Sequence, residues 1–184
     1  MRVGLLGGEC TGKTTIALGL AEALDARIVT EVLREFVERE GRTPRVDEQE
    51  AILREQRARE DAAVAADGTG IVICDPATLM TAVYSDIYFA DRSLDALAVG
   101  QARDYDVLLW CRPDIPWVPE AVQHDGPVMR QRADDRIAEL VAEHRLPCVQ
   151  LHGTHSERMA NAIAAVRGAG GGPAWQTGPG VGGT

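Results

Sequence analysis

Val3-Gly-Leu-Leu6, followed by Gly7-Gly8-Glu9-Cys10-Thr11-Gly12-Lys13-Thr14-Thr15, decides the fold. The second stretch has the spacing G-x-x-x-x-G-K-[ST], which marks a phosphate-binding loop where it joins a strand to a helix. Both flanks are present. An apolar run fit for a buried parallel strand precedes it, and Thr14–Leu24 follows with helical amphipathicity. Gly7 and Gly12 free the backbone to aim successive N–H groups at phosphate oxygens. The start of the helix adds its unpaired N–H groups and positive dipole end. Lys13 supplies a mobile cation for the β- and γ-phosphates, and the Thr14 hydroxyl is placed to ligate Mg²⁺. The nine residues from Gly7 to Thr15 are therefore the expected ATP-binding loop.

Outward from this loop, the composition narrows the class. At 184 residues the chain suits one α/β domain with its own core. A net charge of -9 lacks the basic face of a nucleic-acid binder and is read as solubility. The four cysteines, Cys10, Cys74, Cys111 and Cys148, have no C-x-x-C spacing, and three sit in or at the ends of apolar runs. A reduced, cytoplasmic protein is expected, without zinc or disulfides. No apolar run approaches the roughly 18 residues of a membrane span, and glycines interrupt the N-terminus too early for a signal peptide.

Further along, Arg27–Thr30 reads as a short strand. Glu31, Arg34 and Glu35 then open a helix that ends near Gly41. Residues just past a strand's C-terminal end face the ligand crevice of a parallel sheet, so these three are candidates for acceptor contact. They fit a solvated helix start equally well. Asp47–Ala66 is the longest helical pattern, with Asp47 and Glu50 as a capping box, Gly68 as the stop, and Ala51, Ile52, Ala58 and Ala62 as the apolar stripe. Its Glu/Arg pairs read as a solvated face, and Gln56 could reach the crevice.

Gly70–Asp75 is a second buried strand ended by an acid, and in phosphate-loop proteins an aspartate there lies beside the bound Mg²⁺. A helix is expected from Pro76 to about Phe89, carrying Thr78, Thr81, Tyr84, Asp86 and Tyr88. Asp106–Cys111 is a third strand, leading into the proline-restricted loop Arg112–Trp117, where Trp117 could stack on a flat ring or serve as core. Arg130, Arg132 and Arg136 in the polar stretch Asp125–Arg136 suit a short lid over the transferring phosphoryl group. A helix to about His144, a strand Cys148–Leu151, and a helix from the Thr154/Glu157 capping box to Val166 complete the pattern. Residues 1–167 thus form one domain, and the glycine-rich residues 168–184 form a flexible tail. The alternation predicts a three-layer α/β fold with a mostly parallel five-stranded sheet.

In this order, the phosphate loop, Glu31 with Arg34-Glu35-Phe36, Cys74-Asp75 and Asp114-Ile-Pro-Trp117 resemble the ribosylnicotinamide kinase domain of the bifunctional NAD-biosynthesis regulators. The resemblance covers about residues 1–166. It implies Mg²⁺-ATP-dependent phosphorylation of the 5′-hydroxyl of nicotinamide riboside, giving nicotinamide mononucleotide. It further implies that Glu31, Arg34 and Asp114 lie by the acceptor and that Trp117 stacks on the pyridine ring. Asp75 would hold Mg²⁺ through water or accept the hydroxyl proton, with Lys13 and an arginine such as Arg130 stabilising charge. The implied partner is a small-molecule acceptor, with no nucleic acid and no membrane; association with further copies of the chain is compatible with the fold. One departure stands out. Where the family continues with Asp-Gly-x-Arg, this chain has Glu120-Ala121-Val122-Gln123, so Arg130 or Arg132 would have to replace that arginine. The residues alone leave two alternatives open: another nucleoside or hydroxylated metabolite as acceptor, and a regulatory ATPase.

Overall fold

The computed structural model describes residues 1–67, 70–117 and 126–170. Five parallel strands form one sheet in the order β2-β3-β1-β4-β5: β1 (Arg2–Leu6), β2 (Arg27–Val29), β3 (Val72–Cys74), β4 (Val107–Cys111) and β5 (Val149–Leu151). The strands alternate their apolar side chains between two faces, as a period of two requires. Val3, Leu5, Ile73, Leu109 and Leu151 pack with α1 (Lys13–Leu24) and α7 (His155–Gly170). Leu6, Val72, Cys74, Leu108 and Trp110 pack on the opposite face. There they meet α3 (Gln49–Asp67), α4 (Leu79–Phe89), α5 (Asp95–Ala102) and α6 (Gly126–His144). The expected three-layer fold is the one found, and the sheet is parallel throughout.

The elements depart from expectation in four places. A 3₁₀ turn, Val46–Glu48, precedes α3, and the Glu48 carboxylate accepts the Arg45 N–H at 2.8 Å, in place of the Asp47/Glu50 box. Two further bonds from Arg42 at 2.8 Å hold Glu48 there, and its carboxyl falls to about 2. The buried stripe of α3 is Ile52, Leu53, Gln56, Glu60 and Ala63, while Ala51, Ala58 and Ala62 are exposed. Helix α5 falls where no element was expected, and α7 continues past Val166 to Gly170. Gly68, the element at Val118–Gln123, and Trp175 lie outside the described residues.

Gly4 in β1 permits a close approach that packing alone would forbid. A Cβ there would stand 2.7 Å from the Tyr105 ring and 2.9 Å from the Ala77 Cβ. Tyr105 therefore packs directly against the central strand, 7 % exposed.

Candidate active site

The phosphate loop leaves β1 at the centre of the sheet. Gly7 and Gly12 have φ of 142° and 82°. A Cβ at Gly7 would meet the Thr11 hydroxyl at 2.6 Å and the Cys111 carbonyl at 2.7 Å, so glycine is required twice over. Cys10 also has positive φ, 50°, which costs a non-glycine residue on the order of 1 kcal/mol. The Thr11 hydroxyl and the Lys13 ammonium both donate to the Gly8 carbonyl, at 2.8 and 2.7 Å. With glycine at its N-cap, α1 has no cap side chain competing for its first N–H groups, which are left for an anion.

A cleft of about 310 Å³ adjoins this loop. Glu9 through Thr15 line one side, and Thr30, Glu31, Arg34, Glu35, Glu38, Asp75 and Tyr84 line the rest. The expected residues Lys13, Thr14, Glu31, Arg34 and Asp75 are thus brought to one place by three strand ends. Glu31 ends the β2 connection in extended conformation and precedes α2 (Val32–Glu40) without capping it by its own side chain. Arg34 Nε stands 3.9 Å from the Glu31 carboxylate. Burial raises the Glu31 carboxyl above the usual glutamate range; Lys13 and Arg34 pull it down, and Asp75 adds to the rise. Glu35 turns partly away, bonded to Arg59 at 2.6 Å.

Besides Gly7 and Gly8 at the start of the loop, the expected residues Asp114, Trp117 and Arg130 are not among those lining the cleft. Asp114 accepts the Gly153 N–H at 2.7 Å and pairs with Arg158, so both carboxylate oxygens are engaged. Burial would raise the Asp114 carboxyl, but the Gly153 N–H and Arg158 outweigh it, and it falls below the usual range. Trp117 is half-buried, and its indole N–H has no hydrogen-bond partner among the described residues. Arg130 donates to the Cys10 carbonyl at 3.3 Å and the Ile115 carbonyl at 3.0 Å. It braces the phosphate loop against the Arg112–Trp117 loop, whose Ile115 side chain would stand 3.6 Å from a Cβ at Gly12.

The other two lid arginines divide. Arg132 is exposed, whereas Arg136 is 4 % exposed and bound to Asp86, Asp95 and Glu139. Arg136 therefore ties α6 to α4 and α5 and has no place in a lid. Sequence reasoning missed Arg158 altogether. This side chain, 2 % exposed, donates to the carbonyls of Thr11 (2.8 Å), Arg112 (2.9 Å) and Gly153 (3.0 Å) and to Asp114. Its one local signal is its place in the first turn of the Thr154/Glu157-capped helix, whose box forms as expected.

Among the described residues no cluster of three or more His, Cys, Asp or Glu could hold a metal ion alone. All four cysteines are free. The Thr14 hydroxyl and Asp75 carboxylate line the same cleft, and such a pair suits Mg²⁺ when phosphate oxygens and water complete the octahedron. No helix among the described residues is long and apolar enough to cross a membrane.

A family model described as an AAA domain matches residues 2–158. No curated protein matches the sequence. Among solved structures, the NadR protein in complex with NAD and AMP-PNP is 26 % identical, with a TM-score of 0.73, covering 92 % of this chain and 49 % of that one. The NadR protein in complex with NR gives 24 %, 0.73, and 91 % against 50 %. The chain therefore spans about half the length of the NadR chains it matches. Thymidylate kinase from Ehrlichia chaffeensis shares the fold at 17 % identity and a TM-score of 0.63, covering 91 % of this chain and 97 % of that one.

Proposed function

The chain belongs to the AAA-domain family, and we propose that within it the protein is an ATP- and Mg²⁺-dependent kinase. It transfers the γ-phosphoryl group to the 5′-hydroxyl of nicotinamide riboside and yields nicotinamide mononucleotide. One observation carries this reading. A single cleft joins the phosphate loop to a wall with four carboxylates, Glu31, Glu35, Glu38 and Asp75, and one arginine. A phosphate donor and a hydroxylated, cationic acceptor fit its two ends. The likeness to NadR structures, whose complexes contain NR, NAD and AMP-PNP, supports the same reading.

In the reaction, the acceptor oxygen bonds to the γ-phosphorus while the bond to the β,γ-bridging oxygen breaks, releasing ADP. Loop N–H groups and Lys13 hold the phosphates in line and stabilise their developing charge. Thr14 and Asp75 are the side chains that would hold Mg²⁺, which neutralises phosphate charge when bound. Glu31, its carboxyl raised by burial, is the group tuned to take the hydroxyl proton. Arg34 keeps that carboxylate in place. Arg158 and Arg130 fix the loop's carbonyls, so the N–H groups between them stay aimed at the nucleotide.

The test is ADP release from Mg²⁺-ATP with nicotinamide riboside, with other nucleosides, and with no acceptor, products being checked by mass. Strong stimulation by nicotinamide riboside alone supports the reading. Stimulation by another nucleoside or small hydroxylated metabolite keeps the kinase and changes the acceptor, an alternative favoured by Gln123 where the resembling family has arginine. ATP hydrolysis indifferent to every acceptor would replace the kinase with a regulatory ATPase.

A further inference from the structure

A buried chain of hydrogen bonds runs behind the cleft, and none of its side chains lines it. The Val32 N–H, at the first position of α2, donates to Gln56 Oε1 at 3.0 Å. Gln56 Nε2 donates to Glu60 Oε1 at 3.4 Å, and Glu60 Oε2 accepts the Tyr105 O–H at 2.8 Å. Tyr105 in turn accepts the Thr78 N–H at 2.9 Å. Gln56 is 3 % exposed, and Glu60 and Thr78 are fully buried. With Glu60 ionised the direction of each bond is fixed, because a backbone N–H only donates and an ionised carboxylate only accepts.

The two ends of this chain are the two ends of the acceptor wall. Val32 follows Glu31 directly, and Thr78 follows Asp75 by three residues. Helix starts leave N–H groups unpaired, and the Val32 N–H, at the first position of α2, is one that an N-cap side chain, which serves the second or third position, does not satisfy. Gln56 supplies that acceptor and so ties down the residue next to Glu31, whose carboxylate makes no cap bond and interacts with Lys13, Arg34 and Asp75. We propose that Gln56 and Glu60 are positioning residues that fix Glu31 relative to Asp75. This rests on the kinase reading for what the positioning serves. The Arg59–Glu35 pair also joins α3 to α2, but at the exposed surface, where such a pair contributes little.

Three variants test it. Gln56→Leu removes the acceptor; Gln56→Glu faces two carboxylates; and Gln56→Glu with Glu60→Gln exchanges amide and carboxylate while preserving every bond of the chain. Hydrogen exchange at the Val32 amide should rise about tenfold in Gln56→Leu and return in the double exchange, with β1 amides unchanged. Acceptor-dependent kcat/KM should fall about tenfold in Gln56→Leu and recover in the double exchange, with the Kd for Mg²⁺-ATP held within about twofold. Unchanged Val32 exchange would overturn the tether. Raised exchange with unaltered acceptor kinetics, or equal loss of ATP binding, would overturn its positioning role. A wild-type protein that phosphorylates no acceptor defeats the kinase reading instead, and the exchange data then judge the tether alone.

Discussion

The guanidinium of Arg158 donates to the carbonyl of Thr11 at 2.8 Å, across 147 residues of chain. The same side chain holds the carbonyls of Arg112 and Gly153 and the carboxylate of Asp114, so β4, β5 and the phosphate loop meet on one cation. Arg158→Met keeps much of the volume and strands those acceptors. It should destabilise the protein by about 2–4 kcal/mol and weaken Mg²⁺-ATP binding. Denaturant unfolding and nucleotide titration check both; intact nucleotide affinity would confine Arg158 to the fold.

Glu60 makes the stability of the protein depend on pH. Burial, against Tyr105, Arg2 and Gln56, pushes its carboxyl from 4.5 up to about 6. The fold therefore favours the protonated form: its contribution is complete below about pH 4.5 and is lost as pH rises through about 6. A rise of that size corresponds to about 2 kcal/mol. Glu60→Gln has no such titration, so its stability relative to wild type should improve by that order between pH 4.5 and 7. Unfolding curves at the two pH values measure the change, and a constant difference would place Glu60 in the ordinary range.

Gly4→Ala drives a methyl into the Tyr105 ring and the Ala77 Cβ. Overpacking of this kind costs about 1–3 kcal/mol. Because the ring carries the hydroxyl that joins Glu60 to Thr78, near-ultraviolet dichroism of the tyrosines should change along with the melting temperature. A melting temperature within error of wild type would mean that the strand can shift to make room.

Lys13→Ala should remove most turnover while the fold survives, since among the described residues its ammonium bonds a loop carbonyl and no core partner. Glu31→Gln should lower kcat with acceptor by about 10²-fold, the scale of a lost general base, and leave Mg²⁺-ATP binding near its original strength. Equal loss of nucleotide binding in both variants would assign Glu31 to the phosphate end.

Trp117→Ala should raise KM for the acceptor more than KM for ATP, if the indole stacks on the acceptor ring. A desolvated contact between a cationic ring and an indole is worth about 2 kcal/mol, or roughly thirtyfold. Matched losses for both substrates would make Trp117 a packing residue of the Arg112–Trp117 loop.

What the sequence made legible was local. The phosphate loop, the strand ended by Asp75, and the capping box of α7 each depend on residues within a few positions, and each lies where its pattern put it. The illegible parts depend on partners far along the chain. Glu60 looked solvent-facing as one of the Glu/Arg pairs, and Gln56 looked able to reach the crevice, yet both sit on the buried face of α3 and neither lines the cleft. Their burial is offset by Val32 and Tyr105, 24 and 45 residues away. Arg136 looked like a lid arginine because nothing near it announces Asp95, 41 residues earlier, as its partner. Asp114 could be placed near the acceptor only by resemblance, and its commitment to Arg158 needed the fold. The class of sheet followed from alternation, whereas its strand order did not.

The edges of that sheet bear on how the protein behaves when crowded. β2 and β5, the two outermost strands, have three residues each, while the five-residue strands β1 and β4 are paired on both sides. An outer strand of three residues offers too few free N–H and C=O groups to recruit a strand from another molecule, which is how sheets grow into fibrils. The segments most suited to cross-molecular zippering, Val-Gly-Leu-Leu and Val-Leu-Leu-Trp, are sealed inside the sheet. Aggregation of this protein should therefore start from unfolded molecules and not from edge-to-edge pairing of native ones.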